Sequence, residues 1–101
     1  MPNSNILPIF FYVYILHSQK DSNNYIGYTT NLRRRLEEHR KGYSFATKFR
    51  LPFKLIYSEL CCNEQDAKQR EKYLKTTKGR RFLAKRLRNW LLANRNIWHL
   101  D

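Results

Sequence analysis

Tyr12-Val13-Tyr14, Tyr25-Ile26-Gly27 and Thr30-Asn31-Leu32-Arg33-Arg34-Arg35-Leu36-Glu37-Glu38-His39 are the stretches that decide the fold. The first two sit in runs dense in aromatic and β-branched residues, Phe10 to Ser18 and Tyr25 to Tyr28, which favour strands. The polar segment Gln19-Lys20-Asp21-Ser22-Asn23-Asn24 between them makes the pair a hairpin. Gly27 marks a close backbone approach or an irregular strand end. Thr30 is the expected N-cap of a helix running to about Lys41, with Gly42 as its stop. At about 100° per residue from Leu32, Leu36 falls at about 40°, His39 at about 340° and Arg35 at about 300°. Arg35 and His39 thus flank the apolar stripe one turn apart, and Arg34, Glu37 and Glu38 point away from it.

Outward from this stretch, residues 42–52 form a basic loop interleaved with aromatics, and Phe53 to Leu60 reads as a third strand. Asn63 caps a second helix through about Thr76, with Asp66 in its first turn at the positive end of the dipole. On a wheel begun at Ala67, Leu74 lies at about 340° and Glu71 at about 40°, so Glu71 is expected on the inward face. An inward carboxylate needs a cation, a hydrogen-bond network or a metal, because burying it alone is costly. Past Gly79, the spacing of Leu83, Leu87, Trp90 and Leu91 predicts a third amphipathic helix with a basic rim. The expected fold is α/β (α+β): a small, mostly antiparallel three-stranded sheet flanked by helices, in the order β-β-α-β-α-α. Residues 1–9 read as a loose leader, 10–94 as one domain and 95–101 as a tail.

The 101 residues suffice for one modest core. Twenty Lys and Arg against eight Asp and Glu give a net charge of +12, which calls for a polyanionic partner, nucleic acid before an anionic membrane. Lys48, Arg50, Arg80, Arg81, Lys85 and Arg88 are the candidate backbone contacts. The only cysteines, Cys61 and Cys62, are adjacent; they form no disulfide framework and lack zinc-site spacing, so they read as small buried hydrophobes in a reducing, cytoplasmic compartment. The run Ile6 to Leu16 holds a proline and has no basic n-region, which fits a strand rather than a signal peptide or membrane span.

In these motifs the chain resembles the GIY-YIG endonuclease superfamily, in particular its small single-domain bacterial type. Tyr12-Val13-Tyr14 and Tyr25-Ile26-Gly27 stand for the two naming motifs, with Tyr12 in place of the first glycine. Thr30 to His39 is similar to the following helix, and Ala67-Lys68-Gln69-Arg70-Glu71 to the helix that bears the family's metal-binding glutamate. The resemblance covers roughly residues 11–91. It implies a metal-dependent DNA endonuclease in which Tyr14 and Tyr25 are the active-site tyrosines. Arg35 would bind the scissile phosphate, His39 would assist proton handling or contact the phosphate, and Gly27 would let the backbone come close. Glu71 would hold one divalent ion, Mg²⁺ or Mn²⁺. Tyr28 stands where some relatives carry a lysine, so that cationic role is either empty or filled by Lys48. Asn94 and Asn96 are the candidates for a downstream asparagine.

A phenol with an ordinary pKa near 10 is a poor base at neutral pH, and Arg35 with the metal is expected to lower that value, giving an alkaline optimum. By themselves the same residues also fit plainer roles. Tyr14 and Tyr25 could be hairpin packing, Arg35 a solvated cation, His39 a helix-end histidine, and Glu71 an ion pair with Arg35 or Arg70. The alternative function is a catalytically weak or inactive nucleic-acid-binding module of the same fold.

Overall fold

The computed structural model describes residues 9–94. Residues 1–8 of the expected leader and the tail at 95–101, Asn96 included, lie outside the described residues. Three antiparallel strands, β1 (Phe11–Ser18), β2 (Asn24–Thr29) and β3 (Phe53–Cys61), form a sheet in the order β2-β1-β3. The central β1 is buried on both faces from Val13 to Ser18, which explains its near-continuous apolar run. Helices α1 (Leu32–Arg40), α2 (Glu64–Leu74), α3 (Thr77–Arg86) and α4 (Arg88–Asn94) complete the domain, in the order β-β-α-β-α-α-α.

One face of the sheet carries the core. Val13, Ile15 and Ile26 pack there against Ala67 and Leu74 of α2 and against Leu83 and Leu87. The other face turns Tyr14 and Leu16 towards α1, because residues alternate sides along a strand. An irregularity in the β1–β3 register between Ile15 and Leu16 pairs Ile15 with Tyr57 and Leu16 with Leu55.

Four local expectations change. The cap of α1 is Asn31, whose side chain accepts from the Arg34 amide; Thr30 stands one position too early. The third helix begins at Thr77, capped by Thr76, so Gly79 lies inside its first turn rather than ahead of it. A Cβ on Gly79 would stand 2.5 Å from Leu74 Cα, so this glycine is what lets α3 pack directly on the end of α2. The expected single helix is two, broken at Leu87, yet Leu83, Leu87 and Leu91 continue one apolar stripe across the break. Finally, Cys61 is half-buried and Cys62 exposed, so neither is a fully buried hydrophobe; both are free thiols.

Candidate active site

Tyr14 faces Gly27 across the β1–β2 ladder. Its ring lies over the glycine α-carbon so closely that an added Cβ would meet Cζ, Oη and Cε1, the last at 2.9 Å. The bare backbone of Gly27 therefore makes room for the ring, which reaches across β2 to the sheet edge. There the Tyr14 hydroxyl meets His39 Nε2 at 2.8 Å, and His39 Nδ1 meets Thr47 Oγ1 at 2.8 Å. All three residues are buried, so this is an ordered chain of hydrogen bonds sheltered from water. Tyr25 closes the group, with ring centroids 6.4 Å from Tyr14 and 5.3 Å from His39.

Arg35 sits one turn before His39 on α1. Its guanidinium donates to Glu38 Oε1 at 2.9 Å and to Ser44 Oγ at 3.5 Å while adjoining the Tyr14 hydroxyl. Glu38 thus turns back towards Arg35 instead of pointing away. Glu71 projects from α2 near enough to repel charge on both Tyr14 and Tyr28. Its side chain is 23% exposed, and Lys75, one turn on, donates to Oε2 at 3.2 Å. Neither Arg35 nor Arg70 is its ion-pair partner; Arg70 binds Glu59 instead. Two phenols, an imidazole and a guanidinium from three elements thus meet at the sheet, with the Glu71 carboxylate of α2 close enough to act on Tyr14 electrostatically.

The electrostatics keep this group uncharged at its centre. Burial pushes the Tyr14 hydroxyl up to about 12, with Arg35 pulling it down and Tyr25 and Glu71 pushing it further up. Arg35 lowers this phenol as expected, but in the polypeptide alone desolvation outweighs the guanidinium and the net shift is upward. Burial, and after it the Arg35 charge, pushes His39 down to about 4. The imidazole is therefore neutral at pH 7. Both neutral tautomers satisfy these contacts: either the Tyr14 hydroxyl donates to Nε2 and Nδ1–H to Thr47, or the Thr47 hydroxyl donates to Nδ1 and Nε2–H to the Tyr14 oxygen.

Among the described residues, no group of three or more His, Cys, Asp and Glu side chains could hold a metal. A lone carboxylate facing the cluster still fits Mg²⁺ or Mn²⁺, since Mg²⁺ keeps most of its waters and takes one or two carboxylates plus substrate phosphates. The donor set does not fit zinc.

The other expected contacts divide. Arg80, Arg81, Lys85 and Arg88 are exposed on α3 and α4. Arg80 shares with Tyr25, Asn24 and Lys75 a groove of about 520 Å³, which meets the cluster at Tyr25 alone. Arg50 is held in the fold, its guanidinium paired with Asp21 at 2.6 Å and stacked on Phe53. Lys48 lies over the rings of Phe45 and Phe49, while Lys68 is the cation above Tyr28. Asn94 donates to the Trp90 carbonyl within its own helix. Thr47, Ser44 and Lys75 were missed from sequence. Lys75 carried a signal, its i,i+4 spacing from Glu71; the loop residues carried none, because contacts across a loop have no period.

The chain is similar to several known proteins. A UPF0213 protein of Streptococcus pneumoniae serotype 4 is 43% identical over 68 residues, covering 66% of this chain and 68% of its own. The UPF0213 protein CPE1444 of Clostridium perfringens is 43% identical over 65 residues, covering 63% and 69%. The solution NMR structure of the UPF0213 protein BH0048 from Bacillus halodurans is 31% identical, covers 76% of this chain and 84% of its own, and superposes with a TM-score of 0.50. The model of the GIY-YIG catalytic domain matches residues 10–93, the span from the first strand to the last described helix, and the chain therefore belongs to the GIY-YIG nuclease domain family.

Proposed function

We propose that this protein is a metal-dependent DNA endonuclease that hydrolyses phosphodiester bonds, working on cytoplasmic DNA in repair, recombination or mobile-element processing. The observation that carries the reading is the Tyr14–His39–Thr47 chain of hydrogen bonds, ending beside Arg35 and Glu71. Arg35 binds two oxygens of the scissile phosphate with its planar fork. Tyr25, the more exposed phenol, orients the attacking water, and Tyr14, after releasing its own proton to solvent, accepts the water's proton as the water oxygen bonds to phosphorus. With the Thr47 hydroxyl donating to Nδ1, His39 Nε2–H supports the phenolate oxygen, and the bond to Thr47 fixes the orientation of the ring. The phosphorus–oxygen bond to the departing nucleotide then breaks, and that oxygen takes up a proton from solvent. Glu71 would hold the divalent ion, which supplies polarisation of the phosphate and acidification of bound water.

Nicking of branched, flapped and plain duplex DNA with Mg²⁺ or Mn²⁺ tests this. Glu71→Ala should abolish cleavage and leave binding nearly unchanged; a variant that cuts as well as the parent removes the metal assignment. One observation favours the second reading, a binding module without turnover: Lys75 already neutralises Glu71 at 3.2 Å. Parent protein that binds all three DNAs and nicks none would establish it.

A further inference from the structure

The loop that holds the Tyr14–His39 pair in place also carries a set of aromatic rings that the fold does not use. Ser44 and Thr47, three residues apart, turn inward to Arg35 and His39 and are buried. The residues between and beside them turn outward: Tyr43 is 73% exposed, Phe45 77% and Phe49 68%. These are the most exposed large hydrophobic side chains among the described residues, and all three fall within seven positions. Phe45 and Phe49 meet edge to face at 6.2 Å, with the Lys48 ammonium 5.1 Å and 4.9 Å from their centroids.

This is a display, not a frayed loop. The Lys48 amide donates to the Ser44 carbonyl at 2.9 Å and the Arg50 amide to the Thr47 carbonyl at 2.9 Å. Lys20 Nζ reaches the Phe49 carbonyl at 3.0 Å, and Ser18 Oγ donates to the Arg50 carbonyl at 2.7 Å. The backbone is tied down at both ends while the rings face water.

We propose that Tyr43, Phe45 and Phe49 form a stacking platform for unpaired bases next to the phosphate that Arg35 binds. A flat π-face is the surface a base takes when it is not paired, and a lysine beside it answers the adjoining phosphate. The ammonium over the rings occupies the place of a base and moves to the backbone when one stacks. A fully paired duplex keeps its bases in the helix and offers this loop only phosphates. The platform therefore directs the protein to nucleic acid with an unpaired strand beside the cut site, such as a fork or a flap. The net charge of +12 and the adjoining phosphate-handling groups favour this occupant over a lipid surface. The inference rests on the nuclease reading for the position of the phosphate.

The test measures anisotropy of a fluorescent fork and of a duplex of the same sequence, in EDTA, with the fork arm carrying 2-aminopurine. The parent should bind the fork at least tenfold more tightly than the duplex and quench the 2-aminopurine. F45A/F49A should lose about 5- to 150-fold in fork affinity for each base no longer stacked, with duplex affinity held within about twofold. Because both rings are exposed, the variant should keep its circular dichroism; F45W/F49W should keep fork preference and quenching as well. Equal affinity of the parent for fork and duplex, or an F45A/F49A variant that keeps the preference, overturns the proposal. So does co-sedimentation with phosphatidylserine vesicles that F45A/F49A abolishes without changing the fork preference. A parent that shows the ring-dependent preference but cuts nothing with Mg²⁺ or Mn²⁺ supports the platform and overturns the nuclease reading instead.

Discussion

Replacing Gly27 by alanine isolates the contact on which the site is built. In an ordinary strand this change is mildly favourable, since glycine interior to a strand costs about 0.5–1 kcal/mol against alanine. Here the new Cβ would stand 2.9 Å from Tyr14 Cε1 and closer still to Cζ and Oη. Carbon contacts settle at about 3.5–4.0 Å, so the ring must retreat by about 1 Å. It has no slack, being fully buried and bounded by His39 and Tyr25. Overpacking of this kind costs about 1–3 kcal/mol, and breaking the 2.8 Å bond to His39 adds about 1–3 kcal/mol for the stranded partner. Set against the gain from replacing glycine, Gly27→Ala should therefore lower stability by about 1–5 kcal/mol, a shift of about 0.5–3 M in the urea midpoint at an ordinary slope. The same substitution placed on Tyr14→Ala should cost less than about 1 kcal/mol, because the obstructing ring is gone. Equal cost in both backgrounds, or an alanine variant as stable as the parent, would refute the close-approach account.

Two further outcomes follow from the electrostatics. His39 sits at about 4 when folded against an ordinary 6.5, so its contribution is complete above about pH 6.5 and is lost as pH falls towards 4. That window is worth about 3 kcal/mol at most, and parallel stability–pH curves for the parent and His39→Gln across it would contradict the buried neutral imidazole. Lys75→Met removes the ammonium 3.2 Å from Glu71, and calorimetric Mn²⁺ titration without DNA should show a gain of about two- to fivefold, the scale of an exposed ion pair. The gain should vanish in Glu71→Ala; its persistence there would place the ion elsewhere.

The parts of the molecule that repeat were legible in the sequence. β1, β3, α1 and α2 announce themselves through period and caps, and the wheel placed Arg35, His39 and Glu71 beside their apolar stripes, where they stand near Tyr14. What failed were choices between equals and contacts without a period. Thr30 and Asn31 are both competent caps, and only the approach of the Arg34 amide selects Asn31. Gly79 reads as a breaker because its packing against Leu74 is tertiary. Thr47 is eight residues from His39 across a loop, so nothing local links the two.

The arrangement also explains why the proposed chemistry depends on charge from outside the polypeptide. Tyr14 stays protonated up to about 12 and His39 neutral down to about 4, so between those values the pair offers no phenolate. A DNA phosphate arriving at Arg35 brings a second anion beside Glu71 and raises Tyr14 further. The guanidinium already pulls the other way and is outweighed by burial. A positive charge at Glu71 both cancels the carboxylate's repulsion and adds attraction, which turns the local field towards the phenolate. On the proposed reading, metal dependence is thus set by where the fold buries Tyr14: a more exposed phenol would need the ion less, but would lose the ordered bond to His39 that positions it.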